Sequence, residues 1–169
     1  MTLEKLAETL PIQVRLMNTG SVRGKNDLLD GLADLACVSG LKDIPAGLTS
    51  IKSHKRELGF IFKDESALQD LESKAIVGWH KDSHLKKLFE QVLKDSGFSS
   101  PKYVRLARTH SAVAAAVASG RADVGFGEGE AAKEAALGFK FLMEDEIKFL
   151  ARPESLTDDN IKHFISALP

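Results

Sequence analysis

One cysteine, Cys37, stands in 169 residues, so neither an internal disulfide nor a zinc site built on cysteines is available. No apolar run approaches the ~18 residues that a membrane-spanning helix needs. Neither sign of charge is in excess. Lys plus Arg number 23 and Asp plus Glu 24, for a formal net charge of −1. That balance excludes a strongly basic surface as the explanation of the whole chain and removes nucleic acid as the default partner. The first eight residues, Met1 to Glu8, lack a basic stretch followed by an apolar one, so no secretory signal is read and a cytoplasmic location is expected. No phosphate-loop spacing of Gly-x4-Gly-Lys-Ser/Thr occurs. Gly125-Phe126-Gly127-Glu128-Gly129 alternates glycines without the spacing of the dinucleotide fingerprint. It reads as a turn where backbone comes close to a ligand or the chain crosses between lobes. No cofactor is expected.

What is present is an ordinary globular balance, with 43% hydrophobic and 28% charged residues. A chain of this length forms one domain or two small lobes, and buries roughly 70% of its unfolded surface. Short apolar strands alternate with amphipathic helices. Strands are expected at Ile12–Met17, Asp34–Val38, Leu48–Ser53, Glu57–Phe62, Ala75–Trp79, Tyr103–Leu106, Ala122–Phe126, Phe139–Met143 and Glu146–Ala151. Helices are expected at Thr2–Thr9, within Gly20–Leu32, at Ser66–Glu72 capped by Ser66, and at Ser83–Ser96 followed by Gly97 as C-terminal stop. Others are expected at Ser111–Ser119, Glu128–Leu137 and Thr157–Leu168, the last capped by Thr157. On the helix at 83–96, Leu85, Leu88, Phe89, Val92 and Leu93 share one stripe. Such alternation argues for an α/β fold with largely parallel sheets.

One segment of the chain echoes another. Val14-Arg15-Leu16-Met17-Asn18-Thr19-Gly20-Ser21 leads, after a helix, to Gly31-Leu32-Ala33-Asp34-Leu35. Val104-Arg105-Leu106-Ala107-Arg108-Thr109-His110-Ser111 leads, after a helix, to Gly120-Arg121-Ala122-Asp123-Val124. Val104 follows Val14 by 90 positions and Gly120 follows Gly31 by 89. Each reads as strand, Thr/Ser turn, helix, glycine turn and strand. A duplication and the shared punctuation of βαβ units both account for the echo.

The candidate functional residues fall where strands run into helices. A helix N-terminus offers unpaired N–H groups and the positive end of a dipole, and hydroxyls there can donate to an oxyanion. Thr19, Gly20 and Ser21 form one such turn. Ser83 and Lys86 belong to a second, Trp79-His80-Lys81-Asp82-Ser83-His84, and Thr109, His110 and Ser111 to a third. Glu128 stands at a fourth strand end. Helix capping explains the same hydroxyl residues without any ligand. His80 and His84 straddle a turn with no third strong ligand beside them, so no metal site is expected. If the protein were an enzyme, His110, His80 and Glu128 would be the first suspects, although no catalytic-triad signature occurs.

The stretch from Thr109 to Gly127, which includes Ser119-Gly120-Arg121-Ala122-Asp123-Val124-Gly125, resembles the signature of the periplasmic-binding-protein-like domain related to molybdate-binding proteins. That domain occurs in cytoplasmic molybdenum-cofactor biosynthesis proteins and in winged-helix regulators. Gly138-Phe139-Lys140-Phe141-Leu142, the segment Glu144 to Leu150, Thr19-Gly20-Ser21 and Gly31-Leu32-Ala33-Asp34-Leu35-Ala36 extend the likeness over nearly the whole chain. Where that family usually carries Gly-Ser-Gly-Thr-Arg, this chain reads Asp82-Ser83-His84-Leu85-Lys86, and the segment from Gly40 to Gly59 is shorter than usual.

The resemblance implies a two-lobe type II fold with mixed sheets and an interlobe cleft. Residues 1–62 and 140–169 are expected to form one lobe and 63–139 the other. It also implies binding or sensing of a small oxyanion such as molybdate or tungstate. Thr19, Gly20, Ser21, Ser83, Lys86, Thr109, His110, Ser111 and Glu128 are the expected ligand residues. No membrane and no direct nucleic-acid contact is expected, while a homo-oligomer or a separate regulatory partner would serve a regulatory role. The alternatives are an enzyme on the same fold acting on a small anion, and a ligand-free interaction or oligomerisation module.

Overall fold

A computed structural model of the chain describes residues 3–98 and 101–168. Thr2, at which the first helix is expected to begin, lies outside them, as does Pro169. The elements run α1 (Leu3–Thr9), α2 (Ser21–Leu29), β1 (Leu35–Ser39), β2 (Thr49–Phe62), β3 (Ile76–Trp79), α3 (His84–Asp95) and β4 (Tyr103–Ala107). They continue through α4 (His110–Ala118), β5 (Val124–Glu128), α5 (Gly129–Glu134), β6 (Gly138–Ala151) and α6 (Asp159–Ala167). The strands are hydrogen-bonded in the order β1-β6-β2-β5-β3-β4. The chain divides into two units, residues 1–55 with 146–169 and residues 56–145, and the long strands β2 and β6 each contribute to both.

In the second unit β5 and β4 both pair parallel to β3, while β2 pairs antiparallel to β5 with Leu58 opposite Glu128. The parallel strands are covered by helices, as such sheets require. Helix α3 buries Leu85, Phe89 and Leu93, the i, i+4, i+8 stripe, with Leu88 and Val92 packed at its edge. Phe89 stacks on Phe126 with ring centres 5.1 Å apart. Ser83 Oγ accepts from the Leu85 amide to begin α3, and Gly97, at φ 82°, ends it. Helix α4 is apolar on most of its surface and seats Val113, Ala116 and Val117 in the same core. Glycine makes that approach feasible: a Cβ on Gly125 would collide with Val113 Cγ1. Gly125 and Gly127 therefore sit inside strand β5 rather than in a turn, and what the backbone approaches there is α4.

In the first unit β1 pairs antiparallel to β6, Leu35 opposite Ala151. One core gathers Leu28, Ala36, Val38, Leu48 and Leu150, and another gathers Leu6, Phe149, Phe164 and Leu168.

Several expected elements shift. Ile12–Met17 forms no ladder: Ile12 and Val14 pack on the Phe149 core, but Leu16 and Met17 are exposed and no strand pairs with them. The two strands expected at 48–62 are one, as are the two expected at 139–151, because the charged runs at 54–57 and 144–146 keep the extended pleat. At 65–73 two short 3-10 helices replace one α-helix, and Asp64 rather than Ser66 is the cap, accepting from the Ser66 amide at 2.9 Å. That bond holds the Asp64 carboxyl below its ordinary range. Asp158, not Thr157, caps α6 through the Asn160 and Ile161 amides. The helix expected to reach Leu137 stops at Glu134, and Ala136 takes φ 53° before β6 begins.

Candidate functional site

Parallel pairing brings the carboxyl ends of β3, β4 and β5 to one end of the second unit's sheet. Trp79 stands beside Ala107, and the His80 amide donates to the Ala107 carbonyl at 2.9 Å. From there β3 runs into α3 at Ser83 and β4 runs into α4 at Thr109. Thr109 Oγ1 accepts from the Ala112 amide at 3.1 Å, as Ser83 Oγ does from the Leu85 amide at 3.2 Å. Both residues are therefore caps. A capping hydroxyl uses its oxygen on its own helix and keeps its hydrogen to donate elsewhere. Ser111 is exposed in the first turn of α4.

His110 is half-buried at the start of α4, with its ring against Trp79 edge-to-face at 4.9 Å. The Glu128 amide, at the end of β5, donates to His110 Nδ1 at 3.0 Å. On the other side, Arg56 Nη1 stands 2.9 Å from His110 Nε2. Arg56 also places Nε and Nη2 on Asp145 Oδ2, at 2.9 and 2.6 Å, in a pair whose side chains are 10% and 9% exposed. Burial, and second the Arg56 guanidinium, push the His110 imidazolium down to about 3. His110 is therefore neutral at ordinary pH and a weak general base there.

A second histidine cluster lies beside it. Arg108 Nη2 stands 2.9 Å from His80 Nε2, and Asp82 Oδ2 stands 3.2 Å from His80 Nδ1, without the angle of a hydrogen bond. Lys86, expected as a cation for the ligand, instead pairs with Glu90 along α3 at 2.5 Å. Ser83, Thr109, His110, Ser111 and Glu128 are thus gathered at one sheet end. Thr19, Gly20 and Ser21 belong to the first unit, where Ser21 Oγ accepts from the Ser39 amide at 3.0 Å. Gly20, at φ 83°, precedes α2 with no side-chain cap. No group of three or more His, Cys, Asp or Glu among the described residues is placed to hold a metal ion.

Arg56, Asp145 and Arg108 are not among the residues expected to form the site. Arg56 lies in the run His54-Lys55-Arg56-Glu57, which looks like solvated charge between two strands. Only the register of β2 against β5 and the ion pair with Asp145 show that it is enclosed.

A mixed α/β chain in two units, with helix N-termini gathered at the carboxyl ends of parallel strands, defines a small-ligand-binding class of fold. The family described as the PBP superfamily domain matches residues 3–169, and the chain belongs to it. The two-lobe type II fold expected from the sequence is the fold of this chain. No curated protein matches. The effector-binding domain of QuiR in complex with shikimate is 16% identical with a TM-score of 0.63, over 96% of this chain and 86% of that one. PhnD1 from Prochlorococcus marinus (MIT 9301) in complex with methylphosphonate is 14% identical with a TM-score of 0.61, over 97% of this chain and 74% of that one. Full-length CbnR complexed with its target DNA is 14% identical with a TM-score of 0.58, and the chain spans 64% of its length.

Proposed function

We propose that this protein is a non-enzymatic binding or sensing domain for a small oxyanion, held at the sheet end of the second unit. The observation that carries the reading is the convergence of two helix N-termini, α3 and α4, at adjacent strand ends, each capped by a hydroxyl that keeps its hydrogen to donate. Helix dipoles and neutral donors can stabilise a desolvated anion without burying a full countercharge. Ser83, Thr109, His110 and Ser111 supply the donors. The ligands of the matched solved structures, shikimate and methylphosphonate, both carry anionic oxygens, which supports the class. Molybdate and tungstate belong to the same class, as the sequence resemblance implies.

A thermal-shift screen of shikimate, methylphosphonate, molybdate and tungstate tests it. A ligand at 100 times its Kd adds about 2.7 kcal/mol to the folded state. Calorimetry on Ser83→Ala and Thr109→Ala then reads the donors, and each is expected to lose about 1.5–3 kcal/mol of binding. If both variants bind as tightly as the parent, the hydroxyls are helix caps and nothing more, and the proposal fails.

A further inference from the structure

Around His110 the hydrogen bonds do not add up. A neutral imidazole has one N–H and one lone pair. The lone pair at Nδ1 takes the Glu128 amide, so the proton belongs on Nε2. Nε2 faces Arg56 Nη1 at 2.9 Å, and a guanidinium only donates. Two donors therefore meet head to head. The other tautomer moves the conflict to the Glu128 amide, and an imidazolium would have a donor against it on both sides. Neither neutral tautomer nor the imidazolium satisfies every partner.

His80 makes the contrast. Its Nε2 can accept from Arg108 Nη2, which leaves the Nδ1 proton facing the Asp82 carboxylate. Neither nitrogen there faces a competing donor, although Nδ1 makes no hydrogen bond of its own. Neither member of the His110 conflict can simply turn away. The ring is held against Trp79, and a Cβ on Gly127 would already lie 3.3 Å from Nδ1. Arg56 is committed through two nitrogens to Asp145, in a side chain nine-tenths buried. An unmet buried donor is costly, so the arrangement calls for an acceptor.

We propose that Arg56 Nη1 and His110 Nε2–H form a receptor for one anionic oxygen of the bound ligand, a pairing that rests on the oxyanion reading above only for the face on which the ligand sits. An oxygen that enters between the two nitrogens and spreads them beyond 2.9 Å accepts both hydrogens and removes the conflict, and the N-terminus of α4 adds partial positive charge beside it. The Arg56 charge is matched by Asp145, so this receptor supplies directed donors rather than a free cation. Carboxylates and tetrahedral oxyanions both present such an oxygen.

The test uses the full chain. Long-range 1H–15N spectra of the imidazoles are recorded alone and with shikimate, methylphosphonate, inorganic phosphate or molybdate. The expected results are a His110 Nε2–H tautomer in the free protein and a shifted Nε2 proton on binding. His110→Phe, which keeps a ring on Trp79 but offers no N–H, is expected to bind at least about tenfold more weakly by calorimetry. His110→Asn retains one donor and is expected to fall between the two, and it serves in place of the Phe variant should that not fold. Tighter binding of shikimate names a carboxylate, and tighter binding of the tetrahedral ions names the other source. An Nδ1–H tautomer, or unchanged affinity in His110→Phe, overturns the receptor. Loss in His110→Phe with no loss in Ser83→Ala or Thr109→Ala overturns the cap-hydroxyl proposal and leaves the receptor standing. Binding of none of the four by the parent overturns both.

Discussion

The two halves of the sequence echo end alike and begin differently. After α2, the Asp30 amide donates to the Asn26 carbonyl, the Gly31 amide to Leu28, and the amides of Leu32 and Ala33 to Asp27. After α4, Ser119 donates to Ala115, Gly120 to Val117, and Arg121 and Ala122 to Ala116. The two glycines take φ 73° and 72°. At the other end the likeness stops. Tyr103–Ala107 is a strand paired with β3, whereas Val14–Met17 pairs with nothing. Thr109 caps α4, while α2 starts from Gly20 with no side-chain cap and spends Ser21 on the Ser39 amide. His110 stands where the first copy has Gly20. The glycine stop is set by backbone geometry, which any sequence with the same punctuation reproduces. The start of the helix is where the two copies differ, in capping residue and in the histidine that only the second carries.

The largest effect that would break this comparison is at Arg56, which lies outside both copies and contacts His110 of the second. Arg56→Met leaves Asp145 buried and unpaired and is expected to cost about 3–5 kcal/mol in urea unfolding, against about 1 kcal/mol for Ser21→Ala. Equal losses at the two positions would remove the distinction.

Acid comes next. A histidine in the unfolded chain titrates near 6.5, whereas burial, and second the Arg56 guanidinium, push folded His110 down to about 3. Between those values the unfolded chain holds a proton that the folded chain lacks. The His110 contribution is therefore fully present above pH 6.5 and declines as pH falls, by at most about 1.4 kcal/mol per pH unit. In His110→Phe that part of the slope disappears, as paired pH–unfolding curves will show.

A smaller effect sharpens the shared half. Gly31→Ala and Gly120→Ala each force alanine into the left-handed region, at about 1–2 kcal/mol. Gly31→Ala carries an added cost, because its Cβ would lie 2.9 Å from Arg152 Nη1, which donates to the Leu28 carbonyl. Nothing lies within 4 Å of the corresponding position at Gly120. Thermal melts that rank Gly120→Ala below Gly31→Ala in stability would contradict this.

Legibility in the sequence follows the same division. The stripe of α3, its Ser83 cap, its Gly97 stop and the alternation of strands and helices are local, and local pattern conveys them. So is the placing of Thr109, His110 and Glu128 at strand ends. What escapes is whatever depends on partners far along the chain. The period-2 pattern of Ile12–Met17 looks like a strand, but a strand exists only where another pairs with it. The charged run around Arg56 looks solvated until register sets Leu58 against Glu128 and Asp145 closes on the guanidinium. Lys86 looks available until Glu90, one turn along α3, takes it.

We propose that the sheet end of the second unit, and not the turn at residues 19–21, presents the donors for the ligand. An amide NMR titration of the full chain with methylphosphonate and, separately, shikimate tests it most directly. The account predicts the largest shift changes at residues 83–85, 109–112 and 128, with Gly20 to Val22 changing less. Changes concentrated at Gly20 to Val22, with 109–112 unmoved, would contradict it.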